Sequence, residues 1–123
     1  MNRVPSSLRE AQAELFQALG HPVRVRVLEV LQDGPIPVQE LLAALELEIE
    51  SSELARQLAM LLGCGVVTVN RRGTAAVYEG AGEDVAELLA VARRISSVRL
   101  SGLSEPLEPV RGPGRGAEPE PAP

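Results

Sequence analysis

Residues 45–67 read LELEIESSELARQLAMLLGCGVV. From Ser51 onward, Leu54, Leu58 and Leu61 recur at helical spacing, and Ser51, Glu53, Arg56 and Gln57 are expected to share the opposite, outer face. The start of such a helix presents unpaired amides and partial positive charge, so a phosphate can approach at Ser51 and Ser52. A glutamine amide can pair with adenine, an arginine with guanine or phosphate, and a glutamate can accept from the amino group of cytosine. Gln57, Arg56 and Glu53 therefore suit a helix laid in a duplex groove, although a generic amphipathic surface helix would show the same apolar stripe. Glu46, Glu48, Glu50 and Glu53 crowd the same end. An acid at a helix start is favourable by about 0.3–1 kcal/mol, so Glu50 and Glu53 help the helix itself. Glu46 and Glu48 fall on the preceding turn and are expected to weaken non-specific attraction to a polyanion.

The period changes just after this helix. Val66, Val67, Thr68 and Val69 form a β-branched run, Asn70-Arg71-Arg72-Gly73 reads as a turn, and Ala75, Ala76, Val77 and Tyr78 can return as a second strand. Upstream, Ser7-Leu8-Arg9-Glu10 fits a capping box at the head of a helix carrying Leu8, Leu15, Phe16 and Leu19. Gly20 closes that helix and Pro22 opens a second through Val27, Leu28 and Leu31. Pro37 starts a short third helix through Leu41, Leu42 and Leu45. A last helix, from about Glu83 to Val98, places Val85, Leu88, Leu89, Ala92 and Ile95 on one stripe. The fold expected is mostly α with a β-hairpin wing, in the order α-α-α-α-β-β-α, the layout of a winged helix-turn-helix. Apolar stripes on the terminal helices would be wet in a monomer, so a symmetric dimer is expected through Leu8, Leu15, Leu88, Leu89, Ala92 and Ile95.

Composition narrows the function further. A chain of 123 residues has room for one domain, over residues 1–100, and a tail. The tail, residues 101–123, is rich in Pro, Gly and Glu and reads as disordered. No apolar run is long enough to span a membrane, and MNRVPSSLRE lacks an export signal core, so a cytoplasmic protein is expected. The net charge of −5 opposes nucleic-acid binding, but four of the seventeen acids and two of the twelve arginines lie in the tail. One cysteine and one histidine cannot assemble a thiolate or imidazole metal site, and no nucleophile–base pair or phosphate loop is visible. Neither a cofactor nor an enzymatic activity is expected.

Four segments in order then resemble the ArsR/SmtB family of bacterial repressors. They are Leu19-Gly20-His21-Pro22-Val23-Arg24-Val25-Arg26-Val27-Leu28, Val38-Gln39-Glu40-Leu41-Leu42, the reader segment from Ser52 through Arg56-Gln57-Leu58 to Gly65-Val66-Val67, and Arg71-Arg72-Gly73 with Val77-Tyr78. The turn Glu46 to Glu50 is longer than the family's and lacks its glycine, and the Cys and His ligands of the metal-sensing members are missing. The resemblance implies a dimeric repressor that binds a two-fold symmetric operator without sensing metal. DNA contacts would come from Ser51, Ser52, Glu53, Arg56 and Gln57, with Arg71 and Arg72 at the wing. Arg24 and Arg26 would serve as phosphate contacts or as salt-bridge partners of Glu14 or Glu29. Two other readings stay open: a protein-interaction module that has lost DNA affinity, favoured by the acidic turn, and a thiol-responsive repressor using Cys64. An unidentified small-molecule or redox inducer is compatible with the resemblance.

Overall fold

A computed structural model describes residues 5–104. Helix α1 (Ser6–Ala18) starts directly after Pro5, whose extended backbone forms the N-cap with no side-chain bond. The expected capping box is therefore not formed, because the helix begins at Ser6 and the Ser7 hydroxyl lies inside the first turn. Helix α2 (Pro22–Leu31) has Pro22 at its first position, where the missing N–H leaves no bond unmade. The Nδ1 atom of His21 accepts from the Val23 amide at 3.1 Å, so the histidine is a helix cap.

A two-residue strand, β1 (Ile36–Pro37), leads into α3 (Val38–Leu45). The turn that follows has no glycine, and Glu46 takes the left-handed conformation at φ 55°. Arg26 closes the same helix end: its Nε donates to the Leu45 carbonyl at 3.1 Å and its second guanidinium arm to Ala44 at 3.4 Å. The remaining arm meets Glu29 at 3.3 Å, the partner expected for it. Arg24 donates to the Ala18 carbonyl at 3.2 Å, at the end of α1. Both arginines thus cap helices of their own fold.

Helix α4 (Ser51–Gly63) ends in a Schellman arrangement. The Gly65 amide donates to Leu62 and the Val66 amide to Leu61, with Gly65 at φ 81°. That turn delivers the chain into β2 (Val67–Arg72), which pairs antiparallel with β3 (Ala75–Gly80) from Val67↔Gly80 to Arg72↔Ala75. Gly73 at positive φ followed by Thr74 at negative φ makes the tight two-residue turn that suits strand twist. Arg71 and Arg72 are therefore strand residues, which corrects the expectation of a turn at 70–73. Strand β1 adds to β3, giving a three-stranded sheet in the order β1-β3-β2 rather than a hairpin alone.

Val27, Leu28 and Leu31 of α2, Leu41 and Leu45 of α3, and Leu54, Leu58 and Leu61 of α4 are buried with Val66 and Val67. At about 25 cal/mol per Å2 of apolar surface, these aliphatic side chains supply most of the drive to fold. The chain divides into two units, one ending at Ala86 and the other starting at Glu87. Helix α5 (Glu83–Ser104) continues past Val98 and past the expected tail boundary at residue 101. The rest of the expected tail lies outside the described residues.

Candidate nucleic-acid interface

Helix α4 presents one polar and small-residue face to solvent. Ser51, Ser52, Ala55, Arg56, Ala59 and Met60 are exposed, with Ser52, Ala55, Arg56 and Ala59 at the i, i+3, i+4, i+7 spacing of one stripe. The amides of Ser51, Ser52 and Glu53 occupy the first turn, where no intrahelical acceptor exists, and Glu50 caps the helix without a side-chain bond. Two small methyl-bearing residues on this stripe leave the backbone close to whatever the helix meets. Ala55 and Ala59 are not among the DNA contacts expected from the sequence, because alanine carries no polar chemistry. Their spacing from Ser52 was the available signal.

Gln57 does not share that outer face. It is 6% exposed and sits with Leu54, Leu58 and Leu61 on the buried side, so it is not presented for base reading. Its Nε2 donates to Glu53 Oε2 at 2.6 Å, while its Oε1 has no hydrogen-bond partner among the described residues. The opposite amide orientation would set a carbonyl oxygen against the carboxylate, so the assignment follows from chemistry. The other carboxylate oxygen of Glu53 pairs with Arg56, whose side chain is 72% exposed. The Gln57 amide, then the Arg56 guanidinium, hold the Glu53 carboxyl below its usual value, with a smaller contribution from His21.

Arg71 and Arg72 are both exposed near the wing tip, but adjacent strand residues point to opposite faces. Arg71 lines a cleft of about 240 Å3 with Val38 and Gln39 at the start of α3 and with Thr74. Arg72 shares the other face with Thr68 and Asn70. Glu46, Glu48 and Glu50 are exposed on the segment before α4.

Of the residues expected at a dimer interface, Leu8 and Ala92 are exposed, Ile95 is 57% exposed, and Leu15 and Leu88 are half-buried. Leu89 is only 6% exposed, in contrast to Ile95 on the same helix. Phe16 on α1, and Val91, Val98 and Leu100 on α5, add exposed apolar surface. Cys64 is half-buried, its thiol donating to the Leu61 carbonyl at 3.6 Å. It lines a cleft of about 270 Å3 with Glu14, Gln17 and Met60. Among the described residues no group of three or more His, Cys, Asp or Glu side chains could hold a metal ion, and no helix is long and apolar enough to cross a membrane.

A three-stranded winged sheet behind an exposed second helix of a helix-turn-helix defines a class of regulator, and the chain belongs to the winged helix-turn-helix transcriptional regulators of the ArsR type. It is 43% identical over 107 residues to the uncharacterized HTH-type transcriptional regulator Rv0081 of Mycobacterium tuberculosis, covering 87% of this chain and 93% of the relative. The crystal structure of Rv0081 superimposes with a TM-score of 0.68 over 80% of this chain and 97% of that one. The HTH-type transcriptional regulator NmtR of the same organism is 37% identical over 93 residues, 76% of each chain. The solution structure of Mb0332 from Mycobacterium bovis, a homodimeric winged helix-turn-helix DNA-binding domain, matches at 27% identity and a TM-score of 0.68, over 83% of this chain and 95% of that one. No protein-family model matches the chain.

Proposed function

We propose that this chain is a homodimeric, cytoplasmic repressor that binds a two-fold symmetric operator and performs no catalytic step. The carrying observation is the exposed stripe Ser52, Ala55, Arg56 and Ala59 on α4, headed by three unpaired first-turn amides. In this reading the amides and the hydroxyls of Ser51 and Ser52 meet a phosphate, Arg56 reaches guanine or phosphate, and the alanine methyls contact thymine methyl groups. Arg71 and Arg72 straddle the backbone from the two faces of the wing. Two copies place their α4 helices in successive major grooves, roughly 34–36 Å apart.

The exposed apolar residues of α1 and α5 support the dimer, since Phe16 at 55% exposure and Ile95 at 57% are wet in a single chain. With one cysteine and one histidine in the whole sequence, the reading assigns no thiolate or imidazole metal sensing. The test is binding of the full chain to a duplex it selects from a random pool, against a scrambled duplex, with and without Zn(II). Selection of a palindromic site whose affinity Zn(II) leaves unchanged is expected. Equal affinity for both duplexes would reject sequence-specific binding, and metal-driven release would reject the metal-blind part.

A further inference from the structure

Helix α4 carries an internal relay. Gln57 is a buried amide on the core side, Glu53 lies one turn earlier at the boundary between core and surface, and Arg56 stands in solvent. One carboxylate oxygen takes the Gln57 amide and the other takes the Arg56 guanidinium, so both ends of Glu53 are engaged. An exposed i, i+3 ion pair alone contributes little and reorients freely. A buried anchor changes that, because a side chain packed among Leu54, Leu58 and Leu61 restricts the carboxylate it holds.

We infer that Gln57 is a positioning residue, anchoring Glu53 so that Glu53 neutralises Arg56 until a matching base or phosphate displaces it. The inference rests on the reading that α4 meets DNA, and concerns what sets its selectivity. Contact with an arbitrary phosphate must then compete with a carboxylate already in place. A site offering Arg56 a guanine edge, or Glu53 a cytosine amino group, recovers what the ion pair loses. Selectivity comes from raising the cost of wrong partners as much as from attraction to the right one.

The orphaned Oε1 of Gln57 supports this assignment. A buried acceptor with no partner opposes folding, and an apolar side chain of similar size at 57 would remove it. The amide therefore makes sense through its hold on Glu53 rather than through stability. The lowered pKa of the Glu53 carboxyl points the same way, with the Gln57 bond its largest cause.

Two measurements on the full chain separate the anchor from the gate. The first needs no DNA: carboxyl NMR titration of Glu53 in the wild type and in Gln57→Leu, with thermal melting of both. Gln57→Leu is expected to raise the Glu53 pKa toward the ordinary glutamate value and to leave the melting temperature unchanged or higher. An unchanged titration overturns the anchor. The second is a salt titration on the selected and scrambled duplexes. Glu53→Gln is expected to tighten scrambled-duplex binding several-fold, to steepen its salt dependence by up to about one phosphate contact per protomer, and to shrink the preference for the selected duplex. Gln57→Leu should move in the same direction by less, and Arg56→Ala should abolish the effect of Glu53→Gln. A Glu53→Gln protein with unaltered preference and slope overturns the gate. A wild type that binds no duplex at low salt overturns the gate together with the DNA-binding reading, whereas a wild type that still selects DNA beside a Glu53→Gln protein of the same preference and slope overturns the gate alone.

Discussion

Arg26 shows how much a single side chain on this fold does away from any ligand. Its guanidinium reaches the Leu45 and Ala44 carbonyls as well as Glu29, tying α2 to the end of α3 where Glu46 turns left-handed. The Glu29 pair is about one-third exposed on each side and contributes little, so the carbonyl contacts dominate. Arg26→Met is expected to lower unfolding stability by about 1.5–3 kcal/mol, since charge-assisted hydrogen bonds are lost at a helix end. Arg26→Lys should recover little of it, because an ammonium cannot span two carbonyls and a carboxylate as a planar fork does. Urea denaturation of the three proteins checks this, and a Lys variant of full stability would contradict it. The sequence exposed the Glu29 partner, three residues away on one helix, but not the carbonyl of Leu45, which only tertiary folding brings near. Gln57 is the opposite case. Its spacing from Leu54, Leu58 and Leu61 marked a core-facing position all along, and its amide chemistry pulled the reading toward the surface.

At the scale of the element, the wing is where local sequence and final geometry part. Asn70 and Gly73 both favour turns, so the stretch between them reads as one, yet the two-residue turn at Gly73-Thr74 lets β2 run on through Arg72. The strand β1 was not legible because two residues containing a proline look like the approach to a helix, and only pairing with Val77 and Tyr78 makes them a strand. The consequence is functional: Arg71 faces the cleft at the start of α3 while Arg72 faces away from it. Arg71→Ala and Arg72→Ala are each expected to flatten the salt dependence of binding by about one phosphate contact per protomer, on selected and scrambled duplexes alike. The double variant should lose about two. A loss of preference at particular base pairs would instead make one of them a base reader. The order of the helices was readable from period alone, since each carries its apolar stripe within one helix, whereas a role for α4 at DNA came from its polar residues and the family resemblance.

At the scale of the whole molecule, the terminal helices carry surface that a single copy leaves wet. Ile95, Val98 and Leu100 on α5 are exposed, as are Leu8 and Phe16 on α1. Leu88→Glu/Ile95→Glu is expected to convert a dimer into a monomer at micromolar concentration by light scattering, and to weaken operator binding by more than any single DNA contact. Retained dimerisation would place the interface elsewhere. Leu89 is left out of the variant because its burial within one chain would make the result a folding defect. The acidic balance of the chain matters at this scale as well. Glu46, Glu48 and Glu50 stand exposed before α4, where, if α4 meets DNA as proposed, they are expected to suppress indiscriminate attraction to a polyanion without touching a matched site.

That balance makes the salt titration of the wild type, on the duplex it selects and on a scrambled one, the most direct test of α4 as a sequence-reading helix. The selected duplex is expected to be preferred by a factor on the order of 10³ or more near physiological salt, with non-specific binding unusually weak. Equal affinities at every salt concentration, or no binding even at low salt, would contradict it and leave the winged helix as a module for protein partners.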